Sequence, residues 1–180
     1  ETLVAAHQIA MSVTSQLFMI PMSLAIALTI RIGTYYGEKN WAAMRRVQYL
    51  GLITATLLAF MTMSFMWLFR PEIISIYTSD VDVAQVAMYL LLFAIAYQLM
   101  DAWQISAAGC LRGMQDTKGP MWITMLAYWV IAFPVGVYFS RFGSMGAAGV
   151  WVGLIVGLSV ACVLLLIRLY MNNQRLSQSS

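Results

Sequence analysis

Several charge-free runs in this chain are long enough to cross a membrane. About 18 predominantly apolar residues suffice to span the hydrocarbon core as a helix. "MSVTSQLFMIPMSLAIALTI" and "AAGVWVGLIVGLSVACVLLLI" both reach that length. Lipid offers no water to the backbone, so only helices and closed barrels cross it. A barrel would need segments of about ten alternating residues, and the chain has none. Charged residues make up 9% of the 180, against about 25% in soluble domains. The chain therefore reads as an all-α integral membrane protein with the lipid bilayer as its main partner. It has no basic surface patch for nucleic acid.

Five spans are predicted, at about 3–32, 47–69, 83–111, 121–139 and 145–167, with a tail over 168–180. Their connections alternate sides. Arg31, Lys39, Arg45, Arg46, Arg112, Lys118, Arg168 and Arg175 all fall on one side, whereas Arg70 and Arg141 share the other with Glu1, Glu72, Asp80 and Asp82. The positive-inside bias makes the first side, and so the C-terminal tail, cytoplasmic. Trp41, Trp67, Trp122 and Trp151 fall near predicted helix ends, where interfacial anchors are expected. The chain starts with Glu1 and has no cationic leader ahead of its first apolar run. The odd span count agrees with a piece of a longer protein. Cys110 and Cys162 lie in apolar runs without metal-ligand or disulfide spacing and read as packing residues.

Gly149, Gly153, Gly157 and Ala161 recur every four residues, giving the last span a small-residue face suited to close helix packing. Pro21 removes one helical hydrogen bond from the first span and predicts a kink. Fourteen methionines suit adaptable packing, and several are expected to line any cavity.

One residue stands out energetically. Asp101 lies about 27 Å along the third span at 1.5 Å per residue, near mid-membrane or somewhat to its cytoplasmic side. A carboxylate there costs a few kcal/mol on insertion scales and is expected to face protein or water. Tyr97, Gln98 and Gln104, at offsets of −4, −3 and +3, share its helical face. Asparagine would supply hydrogen bonds more cheaply, so the acid points to a water-accessible cation or proton site. A sodium ion or proton could there compete with a cationic substrate. A purely structural polar cluster is the alternative. Gln8, Ser12 and Ser15 form a second polar stripe on the first span. Asp80 and Asp82 read as a solvated helix start or, alternatively, as an acidic rim. His7 alone reads as an interfacial histidine.

"AAHQIAMSVTSQLFMIPMSLAIALTIRIGTYYGE", "LLFAIAYQLMDAWQ", "GCLRGMQDTKGPM" and "AYWVIAFPVGV" together resemble the multidrug and toxic compound extrusion (MATE) family, in its bacterial NorM-like branch. The resemblance runs in order along essentially the whole chain. It implies the C-terminal lobe, helices eight to twelve, of a twelve-helix two-lobe transporter in a bacterial inner membrane. It further implies export of organic cation drugs against sodium or proton entry, with no other cofactor. Asp101 matches the family's coupling aspartate, which makes it the possible sodium ligand. Gln8 matches a glutamine lining the drug cavity, and Asp80 falls among drug-contacting acids, one of which is replaced here by Ser79. Phe18 stands where some relatives carry a cation-contacting tyrosine. The family's glutamate on helix seven would lie in the missing N-terminal part, which leaves the coupling ion open.

Three rivals differ in what they require. A lipid-intermediate flippase would need a cationic cavity, an intramembrane enzyme would need paired catalytic groups, and a structural subunit would give Asp101 no task. The expectation is therefore a cation-coupled antiporter and not an enzyme.

Overall fold

The computed structural model describes residues 2–141 and 147–178. Among these residues the fold is entirely helical. The chain runs as α1 (Thr2–Gly37), α2 (Trp41–Leu68), a short α3 (Arg70–Tyr77) and α4 (Val81–Gly113). It continues through α5 (Lys118–Leu126), a π-helical segment (Ala127–Ala132), α6 (Phe133–Arg141) and α7 (Ala147–Gln178). The run from α5 to α6 is one membrane-length element, so five helical elements are long and apolar enough to span.

Most of these helices outrun their predicted apolar segments. Hydropathy marks only the stretch that suits hydrocarbon, whereas capping sets where a helix stops. Asn40 caps α2 by accepting from the Ala43 amide at 3.1 Å, which starts α2 at Trp41 and not near residue 47. Residues 168–178, predicted as tail, continue α7. The predicted start of the last span at 145 lies outside the described residues. The loop expected after Phe69 contains α3, whose first turn holds Pro71 and Glu72, residues that suit a helix N-terminus. α1 passes through buried Pro21 without a break.

Close backbone contact builds the bundle. α1 and α4 run in the same direction, with the Cα of Gly109 against Ala25 and that of Gly113 against Thr29 and Ile32. The Thr29 hydroxyl also donates across to the Gly109 carbonyl at 3.0 Å. Continuing that register puts Asp101 level with Leu17, midway along α1. The small-residue face of α7 packs antiparallel on the preceding span. Gly149 meets Ser140, Gly153 meets Gly136, and Gly157 meets Ala132, so each four-residue step down α7 is one step up its neighbour.

The bundle's cation-rich end is tied by polar side chains. Arg168 of α7 grips Asp116 of the α4–α5 loop in a two-pronged pair, at 2.6 Å and 3.0 Å. Asp116 also accepts from Asn172 at 2.9 Å and from the Gly119 amide at 3.2 Å. Gln48 of α2 accepts from Asn173 at 2.7 Å, and Arg45 donates to Ser177 at 2.7 Å. Gln115, at φ 62°, turns the loop so that the Asp116 amide can reach back to the Leu111 carbonyl at 2.9 Å.

Trp67 and Trp122 are more than half exposed, as interfacial anchors would need to be. Trp151 is not, being 1% exposed in the core. Its place near a helix end misled because residues of α1 and α4 pack around it.

Two predictions follow from these contacts. A methyl group on Gly153 would strike the Gly136 backbone and the Ala132 carbonyl. Gly153→Ala should therefore cost about 1–3 kcal/mol by overpacking. Gly37→Ala, which meets open space, should stay within about 0.5 kcal/mol. Detergent unfolding of the full-length protein measures both. The Arg168 guanidinium holds the Asp116 carboxyl below the usual carboxylate range, with smaller support from Asn172 and Gly119. A depressed carboxyl stabilises the fold above its ordinary titration range, and that stability is lost as pH falls through the folded value. Acidification below about pH 4 should therefore loosen this end in wild type and not in Asp116→Asn. Because Arg168 is 42% exposed, the substitution itself should cost only about 1 kcal/mol. Hydrogen exchange over residues 111–120 reports the loosening.

Candidate functional site

Asp101 is buried at 3% exposure. It sits on α4 where α7 and the π segment close over the face turned away from α2. A buried carboxylate is costly unless its oxygens are satisfied, yet Oδ2 has no hydrogen-bond partner. The neighbouring polar groups are phenols, Tyr97 from one turn earlier in α4 and Tyr128 from the π segment. No group of three or more His, Cys, Asp or Glu side chains gathers here or elsewhere among the described residues. The chemistry this arrangement offers is one carboxylate with phenolic oxygens beside it, able to hold a proton or a small hard cation.

The π segment explains how Tyr128 arrives. Pro134 has no N–H to give, and its ring crowds the carbonyl four residues earlier. The chain widens upstream, and the Phe133 amide bonds back five residues to the Tyr128 carbonyl. Such insertions into α-helices recur at functional sites. Tyr128 also lines an apolar groove of about 390 Å³ with Trp129, Phe133, Val137, Val150 and Leu154.

The predicted polar stripe on α4 divides. Gln98, at 2% exposure, donates to the Thr62 hydroxyl of α2 at 3.3 Å. The intervening Trp103 likewise donates to Thr56 at 2.8 Å. Gln98 is thereby engaged in holding α2, and Gln104 is half-buried. Tyr97 turns the other way, with its ring edge-on to Trp151 at 6.3 Å. Trp151 in turn meets His7 of α1 at 5.9 Å.

The α1 residues are separate from Asp101. Ala6, Ile9, Ala10 and Val13 face the core, so Gln8 is exposed on the opposite face. There Gln8, Met11, Ser12, Ser15 and Gln16 line an open recess. Phe18 is half-buried. Asp80, exposed, caps α4 by accepting from the Asp82 and Val83 amides at 2.9 Å and 3.3 Å.

The MatE family model matches residues 1–138. The chain belongs to the MATE family. It is 73% identical over all 180 residues to the "Probable multidrug resistance protein NorM" of Acinetobacter baylyi, of which it covers 40%. It is 42% identical to the protein of the same description from Pasteurella multocida, over 93% of this chain and 37% of that one. This MATE chain thus spans about 40% of the length of the curated relatives it matches. Among solved structures, the eukaryotic MATE transporter AtDTX14 superposes with a TM-score of 0.90 at 21% identity, covering 99% of this chain and 40% of that one. An outward-facing MATE transporter gives a TM-score of 0.89 at 19% identity, over 97% and 39%. These likenesses show the fold, five spans of a larger MATE architecture.

Sequence reasoning missed Tyr128, Trp151 and the threonines of α2. The signal for Tyr128 was its place six residues before Pro134, where a helix can widen. Thr56 and Thr62 sat on a helix with no charged residue nearby and drew no attention. Trp151 was assigned to an interface by position alone.

Proposed function

We propose that the whole protein is an antiporter that exports organic cations in exchange for sodium ions or protons, with Asp101 as the exchange site. The observation that carries this reading is the buried carboxylate with one unsatisfied oxygen. Removing the charge would spare the desolvation cost, so its presence needs a task, and a positive guest supplies one. Alternating access follows from the burial. Asp101 is closed off in this conformation, so exchange requires a second arrangement in which water reaches it.

Substrate recognition falls, on this reading, to the exposed α1 stripe. Gln8, Ser12 and Ser15 offer polar contacts beside Met11, whose flexible thioether adapts to varied shapes. Asp80, at the same Thr2 end of the bundle, gives an acidic rim attractive to cations, and Phe18 adds an aromatic face for them. The names of the NorM-type relatives support multidrug substrates. The bundle end with Arg45, Arg168 and Arg175 lies in the cytoplasm under the positive-inside bias, which puts Thr2 on the outer side of a bacterial inner membrane. A preceding lobe of the same protein supplies the cavity's other wall. A flippase of phosphate-bearing lipids would need positive charge where this bundle has Asp101.

Asp101→Asn in the full-length transporter should abolish ethidium efflux from proteoliposomes while leaving expression and detergent stability near wild type. Running the assay under separate sodium and proton gradients identifies the coupling ion. Normal efflux in the variant under both gradients would refute the exchange role.

A further inference from the structure

If Asp101 is the exchange site, as just proposed, a cation must reach it, and its two sides differ. Toward the Gly37 end of α1, α4 continues as Ala102, Ser106, Ala107, Ala108, Gly109 and Cys110, every one buried. Backbone there rests on backbone, since a methyl on Gly109 would strike the Ala25 carbonyl and one on Gly113 the Thr29 carbonyl. Beyond lies an apolar cluster that includes Ile32, Met44, Leu111 and Leu165, and then the Asp116–Arg168 pair. Such glycine-to-backbone contacts leave no space for a water molecule. The unpartnered hydroxyl of Ser106 lies in front of that barrier.

Toward the Thr2 end the picture is different. Besides Arg70 Nε at the start of α3, three atoms able to hydrogen-bond are buried there without partners: Asp101 Oδ2, Trp151 Nε1 and His7 Nδ1. They belong to residues that follow one another in space. Tyr97 is beside Asp101 on α4, its ring edge-on to Trp151 at 6.3 Å, and Trp151 is edge-on to His7 at 5.9 Å. His7 is within two turns of the start of α1. Buried polar groups normally find partners. Three orphans strung between one carboxylate and one end of the bundle are the donors and acceptors that a passing water shell would satisfy. Side chains separate them, and side chains move more readily than packed backbone.

We propose that small hydrated cations, sodium or hydronium, reach Asp101 from the Thr2 end along His7, Trp151 and Tyr97, while the Gly37 end is closed to them in this conformation. In the orientation proposed above, this is entry from outside. Trp151 is then a hinged plug whose N–H guides the ion's water. His7 is the first polar group inside the mouth.

The test uses the full-length transporter in proteoliposomes and follows labelling of the Asp101 carboxyl by dicyclohexylcarbodiimide, read by mass spectrometry. Protection is started from outside in two arms, by adding sodium at fixed pH or by raising pH without sodium. Trp151→Phe keeps the ring and removes the N–H, and His7→Phe removes both ring nitrogens at a less buried position. Each should slow the onset of protection about tenfold, the effect of losing one hydrogen bond to the ion's water. Ser106→Ala, on the closed side, should leave it unchanged. Ethidium binding at equilibrium checks that each variant is folded. The arm that protects wild type names the ion. Wild-type protection rates in both ring variants, or equal slowing by Ser106→Ala, would overturn the route alone. Absence of protection in wild type by either ion would overturn the exchange reading, and the route with it.

Discussion

The contact of α1 with α4 governs the rest of the bundle. Two helices can approach until backbones touch only where side chains are nearly absent, and Gly109 and Gly113 provide that against Ala25 and Thr29. Dispersion between tightly fitted surfaces is what associates helices in lipid, where the hydrophobic effect between them vanishes. Once that register is set, the level of every residue on α4 relative to α1 is fixed. Asp101 is carried to mid-bundle, and α7 closes over it through Trp151.

A second consequence concerns polar side chains. In hydrocarbon they either pair within the bundle or meet water. α2 takes the first course, since its threonines receive Gln98 and Trp103. α1 takes the second on its exposed face, where Gln8, Ser12 and Ser15 line the recess. Asp101 stands between the two courses, with Tyr97 beside it and its Oδ2 left without a partner.

Much of this was legible before any coordinates. The five spans were readable because bilayer thickness imposes one length on all of them, and Asp101 was readable because a carboxylate in such a run is so rarely neutral in effect. The glycine stripe of α7 likewise announced a close helix contact, since only small residues permit it, though not that α6 would be the partner. What escaped was set by side-chain direction and by neighbours. Tyr97, Gln98 and Gln104 share a face by arithmetic, but three different helices surround that face. Gln98 went to α2, and Tyr97 to α7. The ends of helices escaped too, because hydropathy is blind to caps such as Asn40 and to polar helical turns such as those holding Arg168, Asn172 and Asn173.

The distribution of contacts also assigns mobility. At the cation-rich end, backbone contact, a two-pronged ion pair and side-chain hydrogen bonds between elements act together, and opening there would break them at once. At the other end, the seal over Asp101 consists of rings resting edge-on, joined to a helical stretch already widened ahead of Pro134. Edge-on ring contacts are worth only about 0.5–1.5 kcal/mol each beyond burial, and π insertions of this kind recur at functional sites. A bundle built this way has a rigid base and a compliant cap. When a force or a guest acts on it, the cap yields first, and the carboxylate beneath that cap is the group whose surroundings change.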